Sequence, residues 1–366
     1  GPFTEIDVFT PTLYVQCTSA TYWDADNLDV DCLRVPQIAN NDQFLGRVVN
    51  SEIDWSSSFI PDIDKTYASK NPNHKYWLTP AGTQAFVVNF KNPDAAKAEA
   101  LTNVDFRRAF SMAIDRQTII DIAFYGGGIK NDFASGLGYA FESWSDEAVH
   151  NKYKKFNTYN VEGAKALLAK AGFKDVNDDG FVDTPSGKSF VLEIQSPNGW
   201  SDFNNTVQLA VEQLEEVGIQ AKARTPDFAV YNQAMQDATY DVAYTNYFHG
   251  ADPHTYWNSA YNSSLQGAGA PRFAMHHYKN AELDKLLNGF YKTADKAEQV
   301  AMANRIQAII AEDQVTIPVL SGTYNYQYNT QRFTGWWDEK NAQGRPMIWA
   351  GISERLLQVL DLKPVK

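Results

Sequence analysis

From Val161 onward the apolar positions alternate between two periods. Ala164, Leu167, Leu168 and Ala171 recur at helical spacing and stop at Gly172, which predicts an amphipathic helix closed by glycine. Residues 189–195 read as a strand. Val207, Ala210, Val211 and Leu214 predict a second helix stopped at Gly218, and residues 219–224 the next strand. A short helix over 230–236 leads to a third strand, 241–247. This strand–helix–strand–helix–strand order predicts a parallel sheet with covered faces. Another helix, about 296–311, precedes an apolar strand at 317–320. Nearer the start, residues 13–90 read mostly as strands broken by turns, with one helix near 40–50. Phe106, Ala109, Phe110, Ala113 and Ile114 then share a helical face, with Thr102 as the expected cap and Gly126-Gly127-Gly128 as the expected stop.

The sheet reading places the chemistry. In open parallel sheets, ligands bind beyond the carboxyl ends of the strands. The first strand runs into Pro197-Asn198-Gly199-Trp200-Ser201-Asp202, and the third into Asn246-Tyr247-Phe248-His249-Gly250. Each mouth carries a large aromatic beside small hydrogen-bonding residues, so Trp200 and Phe248 share one rim by topology. Sugars present apolar C–H faces ringed by hydroxyls, and a site for them needs flat aromatic platforms with Asn, Asp, Arg and Ser at the edge. Pro271-Arg272-Phe273, Arg345-Pro346-Met347-Ile348-Trp349 and Asp54-Trp55-Ser56-Ser57-Ser58-Phe59 have the same character. Ordinary packing explains any single tryptophan equally well; only the strand-mouth position favours Trp200 and Phe248.

Composition narrows the class. The 366 residues suit two domains, and 44% hydrophobic residues suffice for sizeable cores. A net charge of -12 argues against nucleic acid as a partner. No apolar run approaches the roughly 18 residues that span a bilayer. The chain opens on Gly1-Pro2-Phe3 with neither Met nor an apolar leader, which reads as any secretory signal having been removed or left out of this sequence. Cys17 and Cys32 lie on neighbouring strand-like segments, 13–17 and 28–35, around the turn-rich Asp24-Ala25-Asp26-Asn27. They are either two buried thiols or a disulfide across a hairpin. The disulfide is preferred, and it fits an oxidising compartment.

Other motifs argue for little chemistry. Asp175-Val176-Asn177-Asp178-Asp179-Gly180-Phe181-Val182-Asp183 imitates a calcium loop, but Ser186 replaces the bidentate Glu and the segment joins a helix to a strand. A polar turn without metal is expected. His249, Asp252, His254 and the pair His276-His277 lack the spacing of a metal site. Nucleophile-elbow, phosphate-loop and zinc-hydrolase motifs are missing from the sequence. Nothing selects the paired carboxylates of a glycosidase. The features describe binding rather than bond-breaking, with no cofactor and no enzyme activity expected.

Longer motifs carry a resemblance. Phe106-Arg107-Arg108-Ala109-Phe110-Ser111-Met112-Ala113-Ile114-Asp115-Arg116 resembles the signature helix of the oligopeptide-type (family 5) extracellular solute-binding proteins. Ala164-Lys165-Ala166-Leu167-Leu168-Ala169-Lys170-Ala171-Gly172-Phe173, followed by Asp179-Gly180, resembles a second hallmark, and Gly1-Pro2-Phe3 the family's strand start. Within the family the chain is similar to the chitooligosaccharide-binding proteins of Vibrio-type marine bacteria. That likeness rests on Pro36-Gln37-Ile38-Ala39-Asn40-Asn41-Asp42, Ser196-Pro197-Asn198-Gly199-Trp200, Tyr244-Thr245-Asn246-Tyr247-Phe248-His249-Gly250-Ala251-Asp252-Pro253 and Ile348-Trp349-Ala350-Gly351.

The resemblance implies an α/β fold of the periplasmic-binding-protein type (type II, oligopeptide-binding cluster). Two lobes with mixed sheets would be joined by a two-strand hinge near 86–90 and 317–320. Residues 1–90 and 321–366 would form a partial upper domain lacking its N-terminal portion, and 91–320 the lower domain. It implies a chitin oligosaccharide ligand in the periplasm, with Trp200 and Trp349 closing on a sugar ring from opposite domains. Asp202, Asn246, Phe248, Arg272, Phe273, Asn41 and Ser57 would complete the contacts. It further implies delivery to an ABC-transporter permease and a regulatory contact with a membrane sensor histidine kinase. The competing expectations are an oligopeptide or other oligosaccharide binder of the same family and, from a different class, a glycosidase.

Overall fold

The computed structural model describes residues 1–247, 250, 252–266, 274–349 and 352–366. They divide into two compact units, Gly1–Thr79 with Tyr324–Lys366, and Pro80–Thr323. The chain passes between the units within two long strands, and the expected crossings at 86–90 and 317–320 fall inside the larger unit.

The smaller unit opens with an antiparallel sheet of β1 (Phe3–Thr10), β2 (Leu13–Thr18) and β3 (Cys32–Pro36). Cys17 stands directly opposite Cys32 in the register of β2 and β3, and the two form a disulfide. Helix α1 (Asn41–Val49) begins where Asn40 accepts from the Gln43 N–H. Strand β4 (Trp55–Ser56) and helix α2 (Ile63–Thr66) lead to β5 (His74–Val88). Phe44, Val48, Ile60 and Tyr67 form one apolar cluster of this unit, and Phe3, Val30, Tyr326, Tyr328 and Trp336 another.

The larger unit runs α3 (Ala95–Thr102), α4 (Val104–Ala113), α5 (Arg116–Ala123), β6 (Ile129–Lys130), α6 (Glu147–Tyr153) and α7 (Val161–Lys170). It continues as β7 (Leu192–Gln195), α8 (Ser201–Glu216), β8 (Ala221–Arg224), α9 (Phe228–Gln236) and β9 (Val242–Asn246). Helices α10 (Pro253–Tyr261), α11 (Ala281–Gly289) and α12 (Lys296–Asp313) precede β10 (Thr316–Asn329), whose far end returns to the smaller unit. There β11 (Phe333–Thr334) pairs with β12 (Lys363–Pro364) across α13 (Arg355–Asp361).

The alternating pattern from Val161 produces the three parallel strands it predicts, with β7 between β8 and β9. Strand β5 extends this sheet antiparallel to β9, with Phe86 opposite Tyr244, and β10 lies beyond it. On one face Val87, Ala243 and Tyr247 join Tyr231 and Met235 of α9 in the core. On the other, Tyr244 packs edge-on against Phe203 of α8 at 4.8 Å. Gly172 and Gly218, which end α7 and α8, have φ of +91° and +84°, the left-handed conformation that glycine takes without strain.

Helix α4 departs from expectation. Asn103, not Thr102, caps it, accepting from the N–H groups of Asp105 and Phe106. Thr102 instead ends α3, its hydroxyl donating back to the Ala98 carbonyl at 2.6 Å. The helix stops at Ala113, because Ile114 is extended and Asp115 caps α5. The glycine run therefore closes α5: Gly126, at φ +80°, donates to the Ile120 carbonyl.

Two buried arginines fasten this region. Arg107, 3% exposed, donates to the carbonyls of Leu101, Asp313 and Gln314 and lies over the Phe90 ring. Arg116, 2% exposed, donates to the carbonyls of Pro318, Ser111 and Ile114 and to the Ser111 hydroxyl. Burial lowers both guanidinium groups to a pKa of about 10, so they stay charged at neutral pH. They donate to carbonyls that the ends of α3, α4 and α12 leave without intrahelical donors.

Candidate functional site

Strands β7 and β9 are parallel neighbours, so their carboxyl ends open on the same edge of the larger unit. Beyond β7 the chain turns at Gly199, with φ +77°, which brings Trp200 to the amino end of α8. The loop is pinned. Asn204 Nδ2 donates to the Ser196 hydroxyl at 2.7 Å and to the Pro197 carbonyl at 2.9 Å, while the Asn198 N–H reaches the Pro226 carbonyl. Trp200 is half-buried. Its ring lies parallel to Phe228, with centroids 5.4 Å apart and planes at 18°, and meets Phe203 edge-on at 5.2 Å.

Polar groups gather on the same edge. Asp202 lies one residue into α8 and is 9% exposed; its charge and burial both push the Tyr244 phenol up, burial the more strongly. The Tyr244 hydroxyl donates to Gln84 Oε1 at 2.8 Å, and Gln84 stands opposite Asn246, the half-buried last residue of β9. On the other sheet face the Gln195 amide and the Thr245 hydroxyl are buried without a hydrogen-bond partner among the described residues. The edge thus holds unmet hydrogen-bonding capacity, each such group costing about 1–3 kcal/mol.

In the smaller unit the notable side chain is Trp349, 43% exposed on a loop that is firmly braced. Trp55 Nε1 donates to the Pro346 carbonyl at 2.7 Å, and the Ile348 N–H to the Ser57 hydroxyl oxygen at 3.1 Å. Arg355 donates to the Ile348 carbonyl at 2.9 Å, and Met347 is wholly buried beside them. Ser57 is itself 2% exposed, so its hydroxyl supports the loop that presents Trp349. Asn41 is half-buried at the start of α1.

The structure therefore brings Trp200, Asp202 and Asn246 to one edge of the larger unit, and joins Ser57 to the Trp349 loop in the smaller one. Phe248, Arg272, Phe273 and His249 lie outside the described residues. Sequence reasoning missed Phe228, Gln84 and Tyr244. Phe228 had a signal: it follows the second parallel strand, β8, as Trp200 follows the first, β7. Gln84 and Tyr244 sit inside apolar strand runs, where nothing local marks a polar contact.

The remaining motifs, within the described residues, make intramolecular hydrogen bonds. Asp175 accepts from the backbone N–H groups of Asn177, Asp178, Asp179 and Gly180, which hold its carboxyl below the usual range, Gly180 contributing most. Asp183, 2% exposed, accepts from the Val176 N–H and the Ser189 hydroxyl. Its calcium-like sequence thus folds as a self-capped turn. His254, His276 and His277 each bond a backbone carbonyl, those of Leu287, Ala260 and Met235. Among the described residues no cluster of three or more His, Cys, Asp or Glu could hold a metal ion, and no helix is long and apolar enough to cross a membrane.

Two compact units are crossed by two long strands, and aromatic and polar side chains gather at the parallel-sheet edge of the larger one. Residues 1–268 match the bacterial extracellular solute-binding proteins, family 5 middle region, and the chain belongs to that family. It is 26% identical over 294 residues to the oligopeptide-binding protein AppA of Bacillus subtilis, covering 75% of this chain and 51% of that protein. It is also 26% identical over 252 residues to a periplasmic alpha-galactoside-binding protein of Rhizobium meliloti, covering 62% of this chain and 34% of that one. The chain thus spans about half, or less, of these curated relatives. Among solved structures, a periplasmic oligopeptide-binding protein of Thermotoga maritima with bound mannohexaose superposes with a TM-score of 0.89 at 24% identity. The match covers 100% of this chain and 68% of that one. AppA in complex with a nonapeptide superposes at 0.79 with 21% identity, over 100% of this chain and 66% of that one. At these identities the structures establish the shared fold.

Proposed function

We propose that this chain captures chitin oligosaccharides in the periplasm, without catalysis, and delivers them to an ABC-transporter permease. Trp200 and Trp349 stack on sugar rings, and Asp202 and Asn246 bond the hydroxyl and acetamido groups. Phe248, Arg272, Phe273, Asn41 and Ser57 belong to the same proposal. So do hinge closure about the two chain crossings and a contact with a membrane sensor histidine kinase. The observation that carries the reading is Trp349: a large indole, 43% exposed, on a loop held by hydrogen bonds donated by Trp55 and Arg355 and by one that Ser57 accepts from the Ile348 N–H. A rigid exposed aromatic suits a sugar face because little conformational freedom is lost on stacking.

Calorimetry with chitin di- to tetrasaccharides tests it. Trp200→Ala and Trp349→Ala should each weaken binding by at least about tenfold, equivalent to about 1.4 kcal/mol. Unchanged affinity in both variants sinks the stacking proposal. An oligopeptide binder of the same family is the second reading, favoured by the peptide-binding relative AppA. It predicts a strong response to peptides and none to sugars. Release of reducing ends from chitin oligomers on long incubation would overturn the non-catalytic reading.

A further inference from the structure

The mouth of β8 completes the arrangement begun by β7 and β9. It carries Thr225-Pro226-Asp227-Phe228, and Phe228 is the first residue of α9. Phe228 is 41% exposed, so a large part of its ring stays in reach of solvent. Yet its ring stacks with two others, Trp200 at 5.4 Å and Tyr231 at 6.3 Å, both with planes at 18°. Tyr231 is the buried member of this stacked set. It is 1% exposed, and its hydroxyl donates to the Tyr244 carbonyl at 2.8 Å. A second support reaches Trp200 from the side: Phe203 meets it edge-on and packs edge-on against Tyr244 in turn. Both supports of the Trp200 indole therefore end on Tyr244 of β9.

We infer that Phe228 is a positioning residue for ligand binding: it covers one face of Trp200 and fixes the indole plane. This rests on the proposed carbohydrate function, and it adds a residue that neither the sequence motifs nor the resemblance assigns. An indole side chain has two rotatable bonds, and a ligand that must first order it binds more weakly. Offset stacking on Phe228 and edge contact with Phe203 are the two arrangements that aromatic quadrupoles favour, so together they restrain both rotations. Phe228→Ala removes the first restraint and leaves the second.

The test is a double-mutant cycle with chitin tetrasaccharide, read by calorimetry on the full chain. Phe228→Ala should weaken binding by about fivefold to tenfold, the loss expected when ordering one large side chain is charged to binding. Phe228→Tyr should restore most of it. In a Trp200→Ala background, Phe228→Ala should have no further effect, because a residue acting through Trp200 couples fully to it. An equal loss in both backgrounds, or no loss in the wild-type background, overturns the inference. A second measurement needs no ligand. In protein labelled with 5-fluorotryptophan, the resonance missing from Trp200→Ala identifies Trp200, and Phe228→Ala should shift or broaden it. An unmoved resonance overturns positioning even if the wild-type chain binds no chitin fragment, an outcome that would defeat only the carbohydrate reading.

Discussion

His276 shows how a single buried residue couples this fold to pH. It is fully buried: its Nε2 donates to the Ala260 carbonyl, and its Nδ1 accepts from the Tyr278 N–H. That arrangement selects the neutral ring. Burial, with a smaller contribution from His277, lowers its pKa from 6.5 to about 3. The unfolded chain takes up this proton near pH 6.5, whereas the folded chain does so only near 3. The contribution to stability is therefore complete above pH 6.5 and declines between these values as pH falls. Its slope is about 1.4 kcal/mol per pH unit at most. His276→Gln keeps a donor and an acceptor but cannot titrate. Urea unfolding at pH 7 and pH 5 should show a smaller loss for the variant than for the wild type. Equal losses would mean that other groups carry the acid sensitivity.

At the scale of elements, caps explain both the successes and the misses. Gly172 and Gly218 were legible as helix stops because only glycine takes their backbone conformation cheaply. Thr102 was misread because it and Asn103 are both good caps, and periodicity does not show that a separate helix already ends at Thr102. Asn103→Ala should therefore destabilise the chain by about 1 kcal/mol, and Thr102→Ala by less, in matched denaturant melts. The reverse order would restore Thr102 as the cap. Residues 13–90 read as strands broken by turns, but the length of β5 was hidden for another reason. Its 15 residues serve two units, its ladder partner β9 is distant in sequence, and Gly82 and Gln84 interrupt the apolar run. Alternation reports burial on one face of one sheet, and no such single environment exists along β5.

Across the whole molecule, the parallel sheet and its carboxyl edge could be reasoned from spacing, and Trp200 came with them. The polar partners Gln84 and Tyr244 could not, because their meeting depends on β5 and β9 pairing antiparallel. Trp349, Ser57 and Asn41 lie in the other unit, 349 and 57 being joined only through a loop contact that sequence spacing does not encode. Ligand class is best read from the stability of the folded state. A ligand that binds only the native chain adds about 2.7 kcal/mol at a hundred times its dissociation constant. Thermal melts with chitooligosaccharides, cellobiose and short peptides should show a concentration-dependent rise for the chitin series. Trp200→Ala and Trp349→Ala should each reduce it. The comparison is informative because the relatives include both a peptide binder and a structure holding mannohexaose. A rise with peptides alone would move this chain to the oligopeptide side of its family. A rise with cellobiose equal to that with chitobiose would show that Asp202 and Asn246 read hydroxyls and not the acetamido group.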